Sequence, residues 1–201
     1  RLAGKASIRR RPVNSALGST PKAMARVILS GAPGVGKTTL LATLAVMGFR
    51  TVSESARAII AERLAAGLSP RPESLEFAKE TLRRDTKKYE AVGSAPDLVF
   101  FDRGAIEAIA MVNEAQSMSA GELAAQLANF HFHPQVFILP PWREIYTTDS
   151  EREHTFEHAE RVHGALTAWY AALGYAVHTV PCASLAVRAL HVLHVIHHSA
   201  A

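Results

Sequence analysis

The residues Gly31-Ala32-Pro33-Gly34-Val35-Gly36-Lys37-Thr38-Thr39 follow the apolar run Val27-Ile28-Leu29-Ser30 and have the form G-x-x-x-x-G-K-T. Each residue type suits one task. Gly31, Gly34 and Gly36 let the backbone turn so that its N–H groups point inward at phosphate oxygens. Lys37 brings a compact positive charge to β- and γ-phosphates, and the Thr38 hydroxyl suits Mg²⁺. A helix over Leu40 to Met47, stopped at Gly48, then aims its positive end at the same phosphates. A glycine-rich connector with a stray lysine is the bland alternative, and a strand before plus a helix after argue against it. The chemistry is therefore nucleoside triphosphate binding.

Other polar residues stand where apolar runs end. Leu98-Val99-Phe100-Phe101-Asp102 reads as a Walker B strand, with Asp102 holding Mg²⁺ directly or through water. The alternative is an aspartate that caps the following helix. Arg103 occupies the position where hydrolysing ATPases often carry a second acid. As a bidentate anion binder, it favours transfer to a bound acceptor over transfer to water. Glu54 follows the short run Arg50 to Ser53 and is the candidate general base for an acceptor hydroxyl. Its alternative is an ordinary acid at a helix N-terminus. Arg57, one turn on, either grips an anionic substrate or pairs with Glu54.

A lid is expected around residues 142–161, a polar stretch carrying Arg143, Arg152 and Arg161. Arg152 is the choice for reaching the phosphates and Arg143 the second choice, against a solvated helix face paired with Glu151, Glu153 and Glu157. His191, His194, His197 and His198 alternate with valine and leucine and lack a supporting acid. A structural role fits them better than metal binding. Cys182 lies in no motif and reads as a small half-buried side chain.

The elements that must position these groups alternate between β-rich runs and helical patterns, the signature of βαβ units and a parallel sheet. Strands are expected at Arg26–Ser30, Arg50–Ser53, Asp97–Phe101, Gln135–Leu139 and Tyr175–Val180. Helices are expected up to Ala66, over Glu73–Tyr89, Ala105–Ala115, Glu122–Phe130, Glu151–Leu173 and Ser184–His197. Ser119 and Glu122 have capping-box spacing. All strands of a parallel sheet end at one edge, so the polar clusters after the first four would meet there.

The 201 residues, 48% hydrophobic and 20% charged, suffice for one core. No apolar run approaches membrane-spanning length. A single cysteine fits a reducing cytoplasm. Six of the 22 Lys and Arg fall in residues 1–23, which hold no acid, so the remainder carries 16 against 18 Asp and Glu. The formal charge of +4 thus belongs to a basic tail and gives no support to nucleic-acid binding by the folded part, residues 24–201. For that tail, an unstructured extension foreign to the folded domain is favoured over a targeting peptide or a nucleic-acid arm.

Taken together, the P-loop, Glu54-x-x-Arg57, Asp102-Arg103-Gly104 and Leu139-Pro140-Pro141-Trp142-x-x-Ile145-Tyr146-x-x-Asp149-x-Glu151-Arg152 resemble the AAA-like P-loop ATPase family. That family is grouped with the ribosylnicotinamide kinase domain of the bacterial regulator NadR and with an animal GTPase known for the TRPL translocation defect. The resemblance covers about Arg26 to Ile196. It implies an α/β fold of three layers, nucleoside-kinase-like, with a parallel five-stranded sheet in the order 2-3-1-4-5. It also implies nucleotide and Mg²⁺ roles for Lys37, Thr38 and Asp102, and substrate or lid roles for Glu54, Arg57, Arg103, Arg143 and Arg152. The leading expectation is a kinase that moves the γ-phosphate of MgATP to a small-molecule hydroxyl. A regulatory ATPase or GTPase with a conformational output is the alternative. The guanine-reading Asn-Lys-x-Asp does not occur, which favours ATP over GTP.

Overall fold

Strand β1 (Ala25–Gly31) is buried from Val27 to Gly31, and its alternate residues feed two different cores. Val27 and Leu29 face a cluster with Leu40, Leu44, Val192 and Ile196. Ile28 faces another with Ile106, Ile109 and Tyr170. This is what a period of two demands of a strand covered by helices on both sides.

The computed structural model describes residues 25–93, 97–145 and 155–198. After β1 come α1 (Lys37–Val46), β2 (Arg50–Val52), α2 (Ser55–Ala65), α3 (Ser74–Ala91) and β3 (Leu98–Asp102). Next are α4 (Ala105–Gln116), α5 (Ala120–Leu127), β4 (Gln135–Leu139) and a short 3₁₀ turn (Arg143–Ile145). The chain continues through α6 (Phe156–Ala172), β5 (Ala176–Thr179) and α7 (Leu185–His198). All four strand pairings are parallel and the order is β2-β3-β1-β4-β5, as the resemblance implied. One cluster joins β1 to α1 and α7, the other to α4 and α6, which gives three layers. No helix among the described residues is long and apolar enough to cross a membrane.

Several boundaries shift for local reasons. β3 runs through Asp102, which pairs in register with Leu29, so the acid belongs to the strand itself. β5 starts at Ala176 because the Tyr175 N–H turns back to the Tyr170 carbonyl at 3.1 Å. α5 begins at Ala120 with the expected capping box: the Glu122 N–H donates to Ser119 Oγ and the Ser119 N–H to Glu122 Oε2. α6 begins only at Phe156, where Thr155 Oγ1 accepts from the His158 N–H at 3.3 Å. Residues 151–154 of the expected helix lie outside the described residues.

Candidate active site

The turn after β1 has a left-handed or otherwise glycine-only backbone, with φ of 141° at Gly31, 85° at Gly34 and 87° at Gly36. At Gly31 the need is also spatial, since a Cβ there would stand 2.6 Å from the Leu139 carbonyl oxygen. Gly36 caps α1 with no side chain over the helix start. Thr38 and Thr39 are exposed on its first turn. Lys37 is only 6% exposed, and its Nζ donates to the carbonyls of Gly31 at 2.8 Å and Ala32 at 2.9 Å. Burial lowers its pKa to about 8, with the Arg103 charge adding to the effect. A phosphate would add to the negative charge of Asp102, Glu54 and Glu107, which offset the burial only in part.

Beside the cradle, Asp102 is 7% exposed and its Oδ1 is buried without a hydrogen-bond partner. Burial raises its pKa to about 6, partly offset by Lys37. Asp102 does not cap α4, whose N-cap is Gly104 with no side-chain bond, so the capping alternative falls away. A buried orphan carboxylate oxygen beside Lys37 and an exposed hydroxyl on the next residue, Thr38, are donor types that fit Mg²⁺, completed by phosphate and water oxygens.

Arg103 organises the opposite wall. Its backbone is left-handed (φ 63°), a conformation that costs a non-glycine residue of order 1 kcal/mol or more. That conformation is held by the Arg103 N–H donating to the Leu29 carbonyl at 2.9 Å and by the side chain's own bonds. Nη1 donates to Glu107 Oε2 at 2.5 Å and Nη2 to the Gly31 carbonyl at 2.9 Å. Nε lies 3.0 Å from Glu54 Oε1 as an ion pair. Glu107, 6% exposed, also accepts from Ser30 Oγ and, at 3.0 Å, from the Tyr170 hydroxyl. Burial holds that phenol protonated, well above its usual range. One guanidinium thus ties the candidate base, a buried carboxylate and the P-loop backbone together.

Glu54 precedes α2 as its N-cap but makes no side-chain cap bond. Its charge is spent on Arg103, so pairing with Arg57 is not what the chain does. Arg57 is exposed, makes no ion pair among the described residues, and lines the rim of the cleft. Arg103, expected to grip the acceptor, has its fork engaged within the protein. Arg143 is exposed and stacks over Phe156, with its guanidinium carbon 4.0 Å from the ring centre. It is not among the residues lining the cleft. Arg152 and the stretch 146–154 of the expected lid lie outside the described residues. Cys182 is exposed rather than half-buried.

The P-loop, Glu54, Arg57 and Arg103 line one cleft of about 1280 Å³, bounded beyond Glu54 by α2, α3, α4 and α6. Three groups in that outer half have no signature in the sequence. Ser55 Oγ and Trp169 Nε1 are buried without an aligned hydrogen-bond partner among the described residues. Asp85, on α3, is buried, and desolvation raises its pKa to about 6, with the Ser55 hydroxyl only partly offsetting it. Glu107 is the other residue without a sequence signature, though its place one helical turn after Arg103 is a usable clue.

The Asp85 shift makes a stability prediction. Its folded pKa of about 6 lies above the 3.8 reference, so ionisation costs the fold increasingly as pH rises between those values. Asp85→Asn is expected to raise stability by up to roughly 3 kcal/mol at pH 8 and to change it little at pH 4. Urea unfolding at both pH values checks this. An equal effect at both would contradict it.

A family model described as an AAA domain matches residues 26–188. The chain belongs to this AAA-domain family. Among solved structures, the AAA-domain chain is similar to a thymidylate kinase from Ehrlichia chaffeensis. That match has a TM-score of 0.58 and 15% identity, covering 87% of this chain and 99% of that one. It is also similar to NadR protein in complex with NR, with a TM-score of 0.65 and 19% identity over 87% of this chain. That match covers 51% of NadR, so the chain spans about half of that protein's length. Deoxyadenosine kinase from M. mycoides with bound dATP matches with a TM-score of 0.54 and 12% identity, over 86% of this chain and 99% of that one. No curated protein matches this chain. At these identities the likeness is one of fold, and it agrees with the kinship to NadR that the motifs implied.

Proposed function

We propose that this AAA-domain protein binds MgATP on its P-loop and transfers the γ-phosphate to a hydroxyl of a small molecule held in the outer half of the cleft. The observation that carries this reading is the Glu54–Arg103–Glu107 network, bonded to the Gly31 carbonyl and so fixed against the phosphate cradle. A hydrolase needs only a positioned water. Here a carboxylate faces a cleft large enough for a second substrate.

Lys37 neutralises phosphate charge, and the N–H groups of the glycine loop and the first turn of α1 hold the phosphate oxygens in place. Thr38 and Asp102 would hold Mg²⁺, which when bound neutralises charge on the triphosphate. Glu54 takes or orients the proton of the acceptor hydroxyl. That oxygen bonds to the γ-phosphorus, the bond to the β-phosphate oxygen breaks, and ADP leaves. Arg103 serves this step by fixing Glu54 rather than by touching the acceptor. Arg152 and Arg143 are proposed as lid arginines that close toward the phosphates, and Arg57 as a rim cation for an anionic part of the acceptor. Asp85, Ser55 and the Trp169 N–H suit an acceptor that carries hydrogen-bonding groups besides its hydroxyl. We place the protein in the cytoplasm, in keeping with its lone exposed thiol.

Incubation with γ-labelled ATP, Mg²⁺ and a pool of small metabolites tests the reading. Label on a small molecule supports it. Label released only as inorganic phosphate favours a nucleotide-hydrolysing switch.

A further inference from the structure

Arg188 sits one turn into α7, is 2% exposed, and reaches the P-loop at Val35 and Gly36. Its Nη2 donates to the Val35 carbonyl at 3.1 Å. Its Nη1 would lie 3.2 Å from a Cβ built on Gly36, so the guanidinium packs directly against that glycine's α-carbon. Trp142, at the foot of the expected lid, has its ring centre 5.9 Å from the guanidinium carbon. The Nε is buried without a partner, and no carboxylate pairs with Arg188 among the described residues.

A buried guanidinium with one neutral hydrogen bond and no counter-ion among the described residues is a costly arrangement. A methionine or leucine would fill the same space at no electrostatic cost. The charge becomes useful only when an anion arrives close by, and the loop it braces is the anion cradle. Against Gly36, in a poorly hydrated setting, a fixed positive charge would act on phosphates held by the loop with little screening. The carbonyl it holds belongs to Val35, two residues before Lys37, so the same contact also fixes the loop that presents Lys37.

We infer that Arg188 is a positioning residue of the nucleotide site, a cation whose counter-charge is the bound polyphosphate. It acts through the Val35–Gly36 backbone and its field, without touching the acceptor. This inference rests on the reading of the cradle as a nucleotide site, and it goes beyond that reading by recruiting the last helix.

The test is calorimetric titration of wild type, Arg188→Met and Arg188→Lys with ATP, ADP and adenosine, with Mg²⁺ present, beside thermal unfolding of the ligand-free proteins. Arg188→Met should melt at or above the wild-type temperature and lose roughly tenfold or more in ATP affinity, the scale of one unit charge acting through space at a poorly hydrated site. The loss should shrink for ADP and vanish for adenosine. Arg188→Lys should recover most of the ATP affinity, because it restores the charge without the fork. A methionine variant that unfolds without ligand, or that loses nothing, or that loses equally for all three ligands, overturns the inference. A wild type that binds neither ATP nor GTP defeats the nucleotide reading itself, a separate outcome.

Discussion

Glu54→Gln is expected to slow phosphoryl transfer to the small-molecule acceptor by about 10²- to 10⁴-fold. MgATP affinity should stay within about twofold of wild type. Glutamine keeps the size of the side chain and can still meet Arg103, but it cannot accept the hydroxyl proton. Glu54 forms its ion pair with Arg103 rather than with Lys37, so its charge reaches the triphosphate residues only through space and nucleotide binding is expected to change little. The check is the rate of labelled product formation beside a titration of nucleotide on the same preparation. A variant that retains more than about a tenth of the wild-type transfer rate would remove Glu54 from the chemistry.

Arg103→Met should destabilise the protein by about 3–5 kcal/mol, the usual result of removing one partner from a buried ionic network. The guanidinium is the shared partner of Glu54, Glu107 and the Gly31 carbonyl. Its loss leaves Glu107, already deep beneath Ser30 and Tyr170, as an uncompensated carboxylate. It also leaves a left-handed backbone at residue 103 with no side-chain bonds to hold it. Arg103→Lys should fall between wild type and methionine, since an ammonium keeps the charge but cannot span three partners. Equilibrium unfolding in urea measures both. A loss below about 1 kcal/mol for methionine would show that the network is not a structural unit.

What could be read from the chain without coordinates follows from how local each feature is. The P-loop was legible because its glycines, Lys37 and Thr38 lie within one turn and need no partner elsewhere. The capping box at Ser119 and Glu122 and the β4 boundaries were legible for the same reason. The partner of Glu54 was not. From sequence the near cation is Arg57, one turn away. In the fold, β2 and β3 run side by side with Val52 opposite Phe101. Two further residues along each strand, that register brings Glu54 level with Arg103. A pairing between strands cannot be seen until the sheet order is known, and that order came from family resemblance rather than from the residues. Arg188 was harder still, because it meets Val35 from 153 residues away and on an otherwise apolar helix face. α6 starts at Phe156 rather than at the expected Glu151 because Thr155 makes the cap.

The most direct test of the whole account is a calorimetric titration of the wild-type protein and Lys37→Ala with MgATP. Wild type is expected to bind saturably and one-to-one, and the variant at least tenfold more weakly, the effect of removing a charged donor from phosphate. No binding of either ATP or GTP by wild type, or equal affinity in the two proteins, would contradict it.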